Sequence, residues 1–245
     1  MKKPIRVLLL GAKGRMGEAI AAAAEKAGAS IAAGLDLGDE IGNHIRDCDV
    51  VIDFSHSSAA NALGRACGGA LKPVVIGTTG HSEQERASIG ELAKSVPVVL
   101  SPNFSVGVNA LFWLTRKATE MLGEGFDLEI VEAHHRLKKD APSGTAKKLA
   151  EILCEARGLD YRKDVKHGRE GMPGERPANE IGVHSIRGGD TVGDHTVAFA
   201  GAGERLELTH RAASRETFAA GALRAAHWVI GKPPGIYSME DVLGL

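Results

Sequence analysis

The stretch IRVLLLGAKGRMGEAIAAAAEKAG, Ile5 to Gly28, passes from a short apolar run through a glycine-rich turn into an alanine-rich segment. Ile5–Leu10 reads as a buried strand and Arg15–Ala27 as the helix that follows it. Between them Gly11, Gly14 and Gly17 are spaced G-x-x-G-x-x-G, with Lys13 where the commoner G-x-G-x-x-G pattern has its second glycine. Such a turn aims backbone N–H groups and the positive end of a helix dipole at one point, which suits a pyrophosphate. An acid, Asp36, closes the next apolar run, Ile31–Leu35. It stands near the offset of about 20 residues at which a carboxylate meets the ribose hydroxyls of an adenosine. Gly11, Ala12, Lys13, Gly14, Arg15, Met16 and Asp36 are therefore candidate dinucleotide-binding residues.

Outward from this unit, apolar runs and helical stretches keep alternating. Val50–Phe54, Val74–Ile76 and Val96–Leu100 read as strands, and Asn61–Gly68 as a short helix. Ser82 opens a further helix with Glu85 three residues on, the capping-box pattern. Short continuous apolar runs between helices predict an α/β fold, a Rossmann-like doubly wound parallel sheet covered on both faces. Strand carboxyl ends line the ligand crevice of such a sheet. That adds Gly77, Thr78 and Thr79 of "GTTG", and Ser101, Pro102, Asn103 and Phe104 of "SPNF", to the cofactor candidates. Asp36 accepts from ribose hydroxyls but repels a 2′-phosphate, by about 4 kcal/mol per unit charge at about 4 Å and an effective dielectric near 20. The next residue is Leu37 rather than an arginine, which leaves Lys13 and Arg15 to offset the repulsion. This predicts NADH as the preferred cofactor with NADPH tolerated.

After Asn103 the pattern changes. Gly107–Leu122 reads as a long apolar helix, Asp127–Ala133 as a strand and Thr145–Arg157 as a helix. Arg162–Asn179, rich in Gly, Pro and charge, reads as a long loop. Ile181–Ile186, Thr191–Ala200 and Arg205–His210 alternate like strands and are separated by "RGGD" and "GAGE", which predicts an antiparallel meander. Ser214 opens a final helix to about Ile230, followed by a Pro-Pro-Gly break and a short tail. The expected division is a dinucleotide-binding domain over 1–104, completed by 214–245, and an inserted α+β domain over 105–213.

Bulk composition narrows the chemistry. The 245 residues carry a formal net charge of −1, which argues against a general nucleic-acid binder. The opening MKKPIRVLLL resembles a signal peptide until Gly11 ends the apolar run too early, and no run approaches membrane-spanning length. Cys48, Cys67 and Cys154 are widely spaced and odd in number, as expected of reduced thiols in a cytoplasmic protein.

Against that neutral background stands EAHHRLKKDAPSGTAKK, Glu132 to Lys148, dense in cations. His134 and His135 are consecutive on extended chain, so they face opposite ways, and no H-E-x-x-H spacing is present; no metal is expected. His184, His195 and His210 are expected to be surface or strand-packing residues. A pocket for a small anion that also needs a proton fits better. His134, His135 and Lys138 are candidate acids. Ser143, Gly144 and Thr145 open the next helix, where N–H groups and hydroxyls bind a carboxylate, each charged hydrogen bond contributing about 1.5–3 kcal/mol.

"GAKGRMG", "GTTG", "PNFSVGVN", "EAHHRLKKDAPSGTA", "RGGDTVGDHTVAFAGAGERLELTHRAASRETFAAGAL" and "GKPPGIYSMEDVLGL" together resemble the 4-hydroxy-tetrahydrodipicolinate (dihydrodipicolinate) reductase family, nearly end to end. The resemblance implies reduction of a small cyclic dicarboxylate to tetrahydrodipicolinate with NADH or NADPH, in lysine and diaminopimelate synthesis. It also implies a homotetramer built through the sheet of the second domain. His134 falls on the family's proton donor/acceptor, Lys138 on a second proton donor, and His135, Gly144 and Thr145 on substrate-carboxylate positions. The cofactor candidates named above fall on the family's nucleotide positions. Leu37 departs from members that carry an arginine there. Two rivals are another Rossmann NAD(P)-dependent dehydrogenase acting on a small amino or dicarboxylic acid, and a nucleotide-binding protein without catalysis. A thioester-forming semialdehyde dehydrogenase would need a cysteine at the crevice, and none of the three falls on a carboxyl-end loop.

Overall fold

A computed structural model describes residues 3–245; the basic opening at Met1 and Lys2 lies outside them. The chain forms two compact units, Met1–Val106 with Arg215–Leu245, and Gly107–Ser214.

The first unit holds β1 (Ile5–Leu10), α1 (Arg15–Ala24), β2 (Ala29–Leu35), β3 (Val50–Asp53), α2 (Ala60–Ala70), β4 (Val74–Ile76), α3 (Glu83–Leu92) and β5 (Pro97–Leu100). The capping box read at Ser82 and Glu85 is formed at the start of α3. Alternation along β1 divides the core. Val7 and Leu9 pack on one face with Ile20 of α1, whereas Leu8 and Leu10 pack on the other with Leu63 and Ile89 of α2 and α3. Each such fully buried aliphatic side chain contributes about 1.5–3 kcal/mol.

The second unit runs through α4 (Val106–Leu122), β6 (Asp127–His134), α5 (Gly144–Arg157), α6 (Tyr161–Asp164), β7 (Val165–His167), β8 (Ile181–Arg187), β9 (Gly193–Gly201) and β10 (Glu204–Ala212). The chain then returns to the first unit with α7 (Glu216–Val229), β11 (Gly235–Tyr237) and α8 (Met239–Leu243). The stretch read as a tail after Pro-Pro-Gly thus adds a strand and a helix. β11 has three residues, too few for a period to show, and pairs with β5.

The first sheet has the order β11-β5-β4-β3-β1-β2, and every neighbouring pair is parallel. From β1 the chain goes first to β2 on one side and then to β3 on the other, so the switch point lies between β1 and β3. Register does the rest. Leu10 pairs with Leu35 and Asp53, Asp53 with Ile76, and Ile76 with Leu100. Gly11, Asp36, Phe54, Gly77 and Ser101 therefore leave the sheet along a single edge.

The second sheet, β10-β9-β6-β8-β7, corrects the meander. β9 and β10 form the expected antiparallel hairpin, but β6 lies between β8 and β9, parallel to the first and antiparallel to the second. The "RGGD" segment is a crossover rather than a hairpin turn. It passes over the end of β6, with Gly188 N–H donating to the His134 carbonyl and Arg136 N–H to that of Gly189. The stretch read as a loop over Arg162–Asn179 opens on the end of α6 and contains β7, parallel to β8, and two arginines beyond β7 reach β6. Arg169 bridges Glu129 and Glu180, and Arg176 reaches Asp127 and Glu129. Gly182 lacks a side chain where the Glu129 carboxylate sits.

Candidate active site

In the first unit the glycine turn is shaped by close approach. Gly11 has φ +78°, and a Cβ there would meet the Phe54 carbonyl at the end of β3. A Cβ on Gly17 would collide with the Gly11 and Ala12 carbonyls, so the glycine lets α1 start against the turn. Gly14 caps α1 with no side-chain acceptor, which leaves the first-turn N–H groups to an outside anion. Asp36 is drawn to this turn: Oδ1 accepts the Lys13 N–H at 3.2 Å and Oδ2 lies 3.8 Å from the Lys13 ammonium. The following Leu37 is 98% exposed. Bare helix N-terminus, glycine turn and carboxylate fit a nicotinamide dinucleotide.

Beside them is an acid that carries no sequence signal. Asp53 is buried at the end of β3 and accepts from Ser55 N–H at 3.0 Å, from the Ser55 hydroxyl, and from the Thr78 hydroxyl at 2.9 Å. Burial raises its pKa, against those hydrogen bonds. The cluster ties the β3 loop to "GTTG", where Gly77 leaves room for the Phe54 ring. Phe54 in turn meets Phe104 edge-on, centroids 5.5 Å apart. The side chain of Phe104 is buried in the core, whereas Thr79 and Pro102 are exposed and Asn103 is half-buried. Ser101 is buried, its hydroxyl donating to the Asn103 carbonyl at 2.7 Å.

In the second unit the site grows out of β6. Leu128, Ile130, Glu132 and His134 all face inward, so one face of the strand passes from apolar to polar along its length. The apolar pair joins the core with Leu149 and Leu153 of α5. The polar pair meets the start of that helix. Ser143 caps it, its Oγ accepting from Ala146 N–H at 3.2 Å, while its own N–H donates to Glu132 Oε1 at 3.1 Å. Arg187 of β8 grips both Glu132 oxygens at 2.8 and 2.9 Å, and His134 Nδ1 lies 2.5 Å from Oε2. Glu132 is 0% exposed. Burial alone would raise its pKa, but the hydrogen bonds from His134 and Arg187 outweigh burial and hold it well below the usual carboxylate range.

Lys138 stands on the adjoining turn, its ammonium 2.9 Å from Asp140 Oδ1, with Asp140 in turn linked through its carbonyl to Arg187. His135 is half-buried, with Nδ1 lacking a hydrogen-bond partner. Gly144 has open space where a side chain would stand, and Thr145 is half-buried beside it. His134, Lys138, Ser143, Gly144 and Thr145 are thus held on one strand end, one turn and one helix start.

His195 corrects the expectation of a surface or packing histidine. It is 3% exposed, its ring meets that of His134 edge-on with centroids 5.1 Å apart, and Nε2 lies 3.0 Å from Ser143 Oγ. Its strand partner is Glu132, so the register of β6 with β9 places it. Burial, and then the neighbouring His134, push its pKa down from 6.5 to about 3. Between those values the unfolded chain binds the extra proton, so stability falls as pH drops below 6.5. Near pH 5 the loss is about 2 kcal/mol. Thermal melts should show a smaller drop in Tm between neutral and about pH 5 for His195→Gln than for wild type; parallel drops would refute the assignment.

Profiles described as Dihydrodipicolinate reductase, N-terminus, and Dihydrodipicolinate reductase, C-terminus, match residues 5–104 and 107–243. The chain is 55% identical over 242 residues to a protein of Akkermansia muciniphila named 4-hydroxy-tetrahydrodipicolinate reductase, covering 98% of each chain. It is 45% identical over 264 residues to the protein of that name from Geobacter metallireducens, covering 98% of this chain and 99% of that one. Among solved structures, the dipicolinate-bound dihydrodipicolinate reductase from Paenisporosarcina sp. TG-14 has the same fold, with TM-score 0.75 and 23% identity over 96% of this chain and 97% of that one.

Proposed function

The chain belongs to the dihydrodipicolinate reductase family, and from that premise we propose how its residues reduce 4-hydroxy-tetrahydrodipicolinate to tetrahydrodipicolinate, a step of lysine and diaminopimelate synthesis. NADH or NADPH supplies the hydride. Gly11 to Met16, Asp36, Gly77 to Thr79 and Ser101 to Phe104 hold the nucleotide, with Phe104 acting through its backbone because its ring is packed inside. In the second unit, the N-terminus of α5 at Ser143, Gly144 and Thr145 holds a substrate carboxylate, with His135 beside it. Loss of the 4-hydroxyl as water leaves the unsaturated ring that takes the hydride. His134 exchanges the proton that balances the hydride, and Lys138 is the second proton donor and a charge partner for the dicarboxylate. The observation that carries this reading is His134, buried and clamped by Glu132 at the mouth of that helix.

Asp36 and Leu37 support NADH as the preferred cofactor. Lys13 within 3.8 Å of the Asp36 carboxylate softens the repulsion of a 2′-phosphate, in keeping with NADPH being tolerated. The chain is further read as a cytoplasmic homotetramer. The largely exposed side chains of β10, an edge strand, and three unpaired cysteines support that reading. Among the described residues no helix is long and apolar enough to cross a membrane.

Calorimetry tests the assignment of both units. NADH should bind more tightly than NADPH, Asp36→Ala should bring the two together, and dipicolinate should bind the NADH-loaded protein. Equal affinities in wild type would remove the role of Asp36. Absence of dipicolinate binding would remove the anion site.

A further inference from the structure

The hydrogen bond between Glu132 and His134 has a definite direction. Glu132 is fully buried, and the Arg187 fork, the Ser143 N–H and His134 converge on its two oxygens. All of these hydrogen bonds favour its charged form. A carboxylate only accepts, so the proton of the bond at 2.5 Å sits on His134 Nδ1. The other ring nitrogen, Nε2, lies beside Gly193 of β9, where a Cβ would stand 3.0 Å from it. Glycine at that position spares Nε2 that close contact, in a ring whose side chain is 10% exposed.

We infer that Glu132 is a positioning residue: its carboxylate takes the Nδ1–H of His134, so that Nε2 is the atom exchanging the proton with substrate, and Gly193 keeps the space at Nε2 open. The inference rests on the reading of His134 as the proton-exchanging group. In the step itself the Nε2–H bond of the imidazolium breaks and its electron pair stays on the ring. The proton passes to the anion left by hydride addition, and the neutral imidazole regains a proton from water. Glu132 keeps the Nδ1–H throughout and stabilises the imidazolium before transfer. The charged and titratable groups around His134 are Glu132 on its own strand, Arg187 from β8, His195 from β9, and Lys138 and Asp140 from the turn before α5. Of these Glu132 is the anion in contact with the ring; the other anion, Asp140, is paired with the Lys138 ammonium at 2.9 Å.

Nitrogen-15 NMR of the full-length, NADH-loaded wild type tests this without any variant. Nδ1 should stay protonated across the titration while Nε2 titrates; a neutral ring protonated at Nε2 would overturn the inference. In Glu132→Gln, kcat should fall about a hundredfold with KM within about threefold. A folded variant with unchanged kcat, or one whose loss falls on KM, would also overturn it. His134→Gln separates the two claims, because wild-type turnover there would defeat the proton-exchange reading whatever the tautomer.

Discussion

Lys138→Ala is expected to lower kcat/KM about 10²–10⁴-fold, the range for loss of a positioned acid or charge partner. The lysine is held in place from two directions. Its ammonium sits 2.9 Å from Asp140, its side chain is 20% exposed, and its backbone N–H closes a turn onto the His135 carbonyl. The ion pair fixes where the cation stands while leaving it open to solvent on one side. NADH affinity should be unchanged within about twofold, since the glycine turn and Asp36 belong to the other unit. Kinetics divide the two roles given to Lys138. A loss falling on kcat means proton donation, whereas a loss falling on KM with kcat preserved means that the lysine chiefly binds a carboxylate. Unchanged kcat/KM would remove Lys138 from the site.

Arg187→Ala should cost about 3–5 kcal/mol of stability, because it strips the paired cation from a buried carboxylate. At about 2–4 °C per kcal/mol for a protein of this size, Tm should fall by roughly 6–20 °C. The sign with pH is fixed. In wild type the folded-state pKa of Glu132 lies below the ordinary 4.5, so its contribution is complete above 4.5 and is lost as pH falls further. In Arg187→Ala the carboxylate keeps the Ser143 N–H and His134 but loses its cation, so protonating it brings relief and the deficit relative to wild type shrinks in acid. Combining Arg187→Ala with Glu132→Gln should recover part of the lost Tm. A melt within about 2 °C of wild type would show that the fork does not hold the site together.

Much of this is legible in the chain. The glycine turn, Asp36 and the alternating apolar runs specify the first sheet because each is a local pattern with a local cause. Ser82 with Glu85, and Ser143 before Gly144, announce helix starts for the same reason. The surroundings of His134 are not legible. Glu132 is two residues away, yet Arg187 and His195 reach it only because β8 and β9 take places on either side of β6. Nothing in the alternation of Ile181–Ile186 and Thr191–Ala200 says that another strand lies between them, and a short Gly-Gly segment reads as a hairpin until the neighbouring strand is known. Asp53 escapes notice because a lone acid at the end of an apolar run has no periodic signature. Its meaning comes from Thr78 on the neighbouring strand's loop. Local chemistry can be read along the chain, but strand neighbours come from topology.

The central claim is that a nicotinamide-binding first unit and the His134–Lys138 site of the second together reduce a cyclic dicarboxylate. It is tested most directly by generating the substrate in place with dihydrodipicolinate synthase and following the absorbance of NADH and, separately, NADPH. Oxidation that requires the synthase, is more efficient with NADH and collapses in Lys138→Ala is the expected result. A folded protein that oxidises neither nucleotide when the synthase is present would contradict the claim.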